Sequence, residues 1–186
     1  VSEVTRRVPV AGAQDDAEMA ASMGQQTVDP VIAGWAAGFR PVRDGEYFPP
    51  HSPGCVGCGP ANPHGLHLAV RRHGEGVQAE HTFDDRHTGA PGVAHGGAVA
   101  MAFDDLFGFL LYLLGELAVT RDLRVSYLAP VRLNAAYMLR ADHGARVGRR
   151  IPVSAELRNH DNVVVATAEA TFVVVDTHHF TRAAGR

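Results

Sequence analysis

Cysteine is nearly absent from this chain of 186 residues: Cys55 and Cys58 are the two, and they sit close together. Two cysteines are too few for a secreted scaffold stapled by disulfides. An excess of charge of one sign is also lacking. Lys and Arg total 17, Asp and Glu 20, the formal net charge is −3, and no basic block occurs. That excludes the electrostatic footprint of a nucleic-acid-binding protein or of one held on an anionic membrane. No long uninterrupted hydrophobic run is present. The most apolar stretch, residues 98–114, is short for a span and carries Asp104 and Asp105 in its middle. At a bilayer centre each carboxylate costs roughly 3 kcal/mol on insertion scales, so no membrane span is expected. No apolar segment follows Arg6 and Arg7. A signal peptide is therefore not expected, and a cytoplasmic protein is. No internal repeat is found.

What is there is an ordinary globular balance, 46% hydrophobic and 20% charged, with length for one domain and its core. Residues 1–48 differ from the rest. Residues 15–26 and 30–39 permit short helices without a strong apolar face, and the stretch reads as an N-terminal extension. Residues 49–177 form the expected domain, and 178–186 a tail. Within the domain, residues 47–66 are rich in Pro and Gly. Strands are predicted at 66–72 and 77–83, then a glycine-rich loop at 87–97. A helix over 97–114 follows, apolar nearly all round, as in a helix buried within a core. Four more strands are predicted at 120–131, 136–141, 151–158 and 163–175. His160, Asp161 and Asn162 supply the turn between the last two. One buried helix and about six strands imply an α+β domain in which an antiparallel sheet wraps a central helix. One sheet covers only part of that helix, so a second copy is the simplest cover for the remainder.

The stretch from Gly89 to Asp104, with Pro91, Gly92, His95, Gly96 and Gly97 between, carries the chemistry. It delivers a glycine-rich loop into a helix N-terminus, where the first backbone N–H groups are unsatisfied and the dipole is positive. That arrangement suits the oxyanion of a tetrahedral intermediate. Asp104 lies two turns into the apolar helix, where burial strengthens a carboxylate as a base. Gly96 and Asp104 are roughly 12 Å apart along one helix axis, too far to act on one carbonyl. Either Asp104 has another purpose, or it meets the Gly96 loop of a second subunit. Asp105 is about 100° around the helix from Asp104 and reads as structural or partner-facing.

These residues resemble the hotdog-fold thioesterase superfamily, and within it the phenylacetic-acid-degradation branch of acyl-CoA thioesterases. The Gly-x-Pro-Gly-x-x-His-Gly-Gly run and Asp104 carry the likeness. So do the segments 55–66 and 120–131 and the run Gly148-Arg149-Arg150. It extends over about residues 55–175. The resemblance implies an acyl-CoA substrate, a place in lipid metabolism, and a homodimer or dimer of dimers. It implies the Gly96 N–H as oxyanion donor and Asp104, supplied by the opposite subunit, as general base or nucleophile. Thr120 is implied as a hydroxyl that helps hold the attacking water. Where some relatives carry an assisting Asn six positions before the His, this chain has Gly89, so backbone or His95 takes over at the carbonyl.

Several residues admit plainer readings. His95 serves either as a loop-orienting hydrogen-bond partner or in proton transfer. Gly97 and Gly89 admit close approach of substrate. Arg149 and Arg150 are ordinary strand-end charges or contacts to the phosphates of coenzyme A. Cys55-x-x-Cys58, with His51 and His64 nearby, offers one ligand pair where zinc modules usually show two. The expectation is a compact turn with structural cysteines, no metal and no cofactor. The competing functions are a non-catalytic acyl-CoA-binding hotdog module and a hotdog dehydratase of 3-hydroxyacyl thioesters.

Overall fold

The computed structural model describes residues 37–176 together with His179. The proposed helices at 15–26 and 30–39 lie outside the described residues except for 37–39, and the tail at 178–186 does so except for His179. The order is β1 (Val70–His73), β2 (Gly76–Thr82), a 3-10 turn (Asp85–His87), β3 (Thr88–Ala90), β4 (Val93–Ala94) and α1 (Gly96–Leu114). Then come β5 (Ala118–Tyr127), β6 (Ala136–His143), β7 (Arg150–Arg158) and β8 (Val164–Val174). Six strands form one sheet in the order β1-β2-β6-β7-β8-β5, and every neighbouring pair is antiparallel. This is the expected α+β hotdog architecture, a sheet wrapped on one central helix.

Alternation builds the sheet's inner face. Leu139 and Ala141 of β6, Ile151, Val153, Ala155 and Leu157 of β7, and Ala168, Ala170 and Phe172 of β8 are buried. Arg140, Ser154 and Glu169, between them, are not. From α1, Phe103, Leu106, Phe107, Phe109 and Leu110 fill the layer beneath, each at most 1% exposed. Burying such a side chain contributes about 1.5–3 kcal/mol. The helix stops where it should: Gly115 adopts the left-handed φ of 66° at its C-cap, and the Glu116 N–H returns to Leu111 O at 3.0 Å, a glycine-dependent ending. By length and composition α1 is apolar enough to cross a bilayer, but it is the core helix of this domain.

Two expectations are corrected in detail. Residues 66–69 are not strand: Leu66 and Leu68 are buried, but ladder pairing begins at Val70. The expected loop at 87–97 contains the small β3–β4 ladder, reached through a 3-10 turn capped by Asp84. The β1 edge is covered by the chain before it. Phe48 N–H donates to Val70 O, Arg72 N–H donates to Glu46 O, and Val42 and Phe48 join the core.

One buried group makes a testable mark on stability. His81 of β2 is 9% exposed and packs edge-on against Phe83, 4.6 Å between ring centres. Burial first, and the neighbouring His87 second, push its imidazole down to about 4 from 6.5. The folded state thus holds His81 neutral. Its contribution is complete above pH 6.5 and is lost as pH falls from 6.5 towards 4, where the unfolded chain takes up the proton first. That gap corresponds to about 3 kcal/mol. Urea unfolding at pH 7 and pH 4 should show the wild type losing about that much more than His81→Phe. Equal losses would mean that His81 is not the acid-labile group.

Candidate active site

α1 begins where the sequence places its glycines. His95 is the N-cap, and its Nδ1 accepts the Gly97 N–H at 2.8 Å, while Ala98 and Val99 N–H return to His95 O. An accepting Nδ1 places the neutral ring's proton on Nε2. The Gly96 N–H is used by none of these bonds. It remains the amide of the first turn that a ligand oxygen can take. Tyr127, at the end of β5, donates from its hydroxyl to Gly96 O at 2.6 Å. A Cβ at Gly96 would lie 3.2 Å from that hydroxyl, so the tyrosine closes over the glycine. The sequence carries no local signal for this pairing. Gly89 packs against the cap, and a Cβ there would lie 2.6 Å from His95 Cα. This backbone therefore has no room for the Asn found in some relatives at that position.

Two turns on, Asp104 lies on the part of α1 that the sheet does not cover, half-buried rather than enclosed. Thr120 Oγ1 donates to Asp104 Oδ1 at 2.9 Å. The ladder between β5 and β8 slips at Arg121, between Thr120 and Asp122. Such a bulge re-aims the strand beside it. Asp104 and Thr120 border a cavity of about 540 Å³ with Met101, Leu111, Val119 and Phe172. Neither His95 nor Gly96 lines it. The structure thus brings together Asp104 with Thr120, and His95 with Gly96, Gly97 and Gly89, as two separate groups on one chain. A larger hollow of about 610 Å³, over the sheet near Arg140, Ser154 and Glu156, contains none of these residues.

Arg149 and Arg150 stand at the start of β7. Arg149 Nε donates to Val174 O at 2.8 Å. Arg150 is in register with Val173, which is in register with Val119, the neighbour of Thr120. Two strand spacings separate it from β5, roughly 10 Å.

A third group joins the two cysteines and His51 to Asp105, a meeting that the spacing of these residues does not indicate. Asp105 turns away from Asp104 and is enclosed, its side chain 8% exposed, with Oδ1 3.2 Å from His51 Nδ1. Cys55 Sγ lies 3.4 Å from the same oxygen, and Cys58 Sγ lies 3.4 Å from His51 Nδ1. Burial opposes charge on His51, but Asp105, Cys55 and Cys58 together outweigh it and raise the imidazole to about 11. The bond to His51 pulls the Cys55 thiol down, while burial pushes Cys58 up. This group borders the same cavity as Asp104 through His51, Cys55 and Asp105.

Comparison with known proteins places this geometry. The profile of the thioesterase superfamily matches residues 91–166, from the loop before the cap through most of the sheet. A crystal structure of a thioesterase superfamily protein shares 23% identity over 89% of this chain and 81% of its own, with a TM-score of 0.61. A phenylacetic acid degradation-related protein from Ralstonia eutropha shares 25% identity over 59% of this chain and 86% of its own, TM-score 0.53. A Streptococcus mutans protein bound to acetyl CoA shares 23% over 54% and 82%, TM-score 0.52. With the sheet, the central helix and the loop that caps it all in place, this chain has the hotdog fold of these proteins, and its residues 91–166 match the thioesterase superfamily.

Proposed function

We propose that this protein hydrolyses an acyl-CoA to free acid and coenzyme A, with Asp104 as the reacting carboxylate. The observation that carries this is the Asp104–Thr120 hydrogen bond at the mouth of a cavity, on a helix otherwise apolar but for Asp105. In the reaction the thioester carbonyl oxygen takes the Gly96 N–H. As water attacks the carbonyl carbon, Asp104 removes its proton, and Thr120 helps hold the water. The tetrahedral oxyanion is stabilised at the helix N-terminus, the C–S bond breaks, and the thiolate leaves. Direct attack by Asp104, followed by hydrolysis of the anhydride, balances equally. Neither route calls for a redox or metal cofactor at the reacting atoms.

Because Gly96 and Asp104 are roughly 12 Å apart along α1, each site takes its Gly96 from one subunit and its Asp104 from the other. Support for a homodimer comes from the half-open helix face at Met101 and Asp104. It comes also from β5, which ends the sheet with Tyr127 and Leu128 exposed. Arg149 and Arg150 supply the guanidinium groups for the phosphates of coenzyme A. The bound acetyl CoA of the Streptococcus mutans neighbour fits this substrate class.

A thiol-release assay over acyl-CoAs of graded length and aryl-CoAs tests the reading. Free thiol should appear in step with free acid for at least one of them. Tight binding without thiol release would make the protein an acyl-CoA-binding module. Loss of water from a 3-hydroxyacyl-CoA, with the thioester intact, would make it a dehydratase.

A further inference from the structure

We infer that His51, Cys55, Cys58 and Asp105 form a closed, tetrahedral site for a divalent ion of the zinc class, which pins the segment before the sheet to α1 beside Asp104. The expectation of a metal-free turn counted ligands within one stretch of sequence. Folding supplies the missing one, since Asp105 comes from 54 positions beyond His51. This inference does not rest on the hydrolase reading.

Geometry is the first support. One donor atom from each of the four residues lies within 4.8 Å of all the others. Three of the edges measure 3.2, 3.4 and 3.4 Å. A tetrahedral zinc ion with its usual bonds to sulfur, nitrogen and oxygen sets such edges at about 3.3–3.8 Å. The donors therefore already stand close to the corners that one ion demands. Two sulfurs and an imidazole select a borderline-soft ion over Mg²⁺ or Ca²⁺, which take oxygen. Four protein donors leave no open position, as in a structural site rather than a catalytic one.

The chain is shaped around this point. A Cβ on Gly57 would lie 2.2 Å from Asp105 Cγ, and one on Gly108 would lie 2.6 Å from His51 Cε1. Both positions must be glycine for the acid and the imidazole to reach where they are. His51 N–H donates to Cys58 Sγ at 3.3 Å. A backbone N–H aimed at that sulfur favours the thiolate, the form that binds metal. The His51 ring stacks on Phe109 at 4.1 Å, which fixes its orientation. Asp105 Oδ2 is buried without a hydrogen bond. A carboxylate so enclosed is costly unless its charge is met in full. Asp105 is then a positioning residue: holding it sets the rotation of α1 and so the direction of Asp104, one residue before.

The test uses the full chain under reducing conditions. Metal is removed with a chelator, and Co²⁺ is titrated back. One equivalent should bind, with the visible bands of a tetrahedral ion and a near-ultraviolet thiolate-to-cobalt band. Cys55→Ser should remove part of the thiolate band. Asp105→Asn should weaken Co²⁺ by more than the roughly 10–100-fold that disturbing an outer-shell partner costs. His64→Ala, in the same segment but exposed, should change nothing. If a variant does not fold, the wild-type titration decides alone through the thiolate band. Failure to bind one equivalent, or binding with no thiolate band, overturns the site.

Discussion

Replacing Asp104 by Asn should abolish turnover while leaving the fold intact. The amide is nearly isosteric, and its oxygen can still accept the Thr120 hydroxyl that now sits 2.9 Å from Asp104 Oδ1. The position is half-buried, so losing the charge empties no core space. What disappears is the ability to take a proton or to attack a carbonyl. Removing a general base typically lowers the rate by 10²–10⁴-fold. Turnover measured on the thiol-release substrate should fall by that factor, with an unchanged unfolding midpoint. A variant that kept more than about a tenth of wild-type turnover would take Asp104 out of the mechanism. Asp105→Asn is the companion, adjacent in sequence and nearly isosteric in the same way. Its side chain faces His51 and the two cysteines, so its deficit should appear mainly in stability and metal binding, with a milder loss of turnover per folded site. The reverse pattern would mean that the two acids had exchanged roles.

The contrast between these neighbours also shows what a sequence can and cannot disclose. Where structure follows a local period, the reading succeeds. The helix expected over 97–114 is Gly96–Leu114, and the strands expected at 151–158 and 163–175 are Arg150–Arg158 and Val164–Val174. Alternating apolar residues and an unbroken apolar helix leave little choice of face. Where the period fails, so does the reading. Leu66 and Leu68 alternate like strand residues, yet they lie outside the sheet, buried with their N–H groups donating to Val56 O and Gly57 O. The β3–β4 ladder hides in a loop whose glycines carry no period. Tertiary contacts lie further out of reach. Asp104, set in an apolar run, reads as deeply buried, but it faces the uncovered side of α1. The truly enclosed acid is Asp105, and its partners are 50 and 54 positions away. Tyr127 over Gly96 is a pairing of the same kind, 31 positions apart. The small residues are the trace left in the sequence. Gly57 lies in a turn and Gly108 in mid-helix, neither at a positive φ that would require glycine, and each makes room for one member of the cluster.

Two inactive variants of this protein should restore activity when mixed. The reasoning starts from α1. Eight residues separate Gly96 from Asp104, which is roughly 12 Å of helix, and a reacting carbonyl must lie about 3 Å from both groups. The cavity that receives Asp104 and Thr120 does not include His95 or Gly96, so one chain presents the two halves in different places. A second copy related by a two-fold axis resolves this, because it brings each chain's Gly96 to the other's Asp104 and makes two equal sites. Asp104→Asn inactivates one half. Gly96→Val inactivates the other, since a branched side chain must enter the space that already holds Tyr127 at 3.2 Å from the first added carbon. In a mixed dimer one site carries both lesions and the other carries neither. After subunit exchange, confirmed by native mass spectrometry, each heterodimer should therefore recover about half the turnover of a wild-type dimer, starting from two proteins with almost none. Full exchange without recovery would place the whole site within a single chain. It would then require the loop at Gly96 to act with some carboxylate other than Asp104.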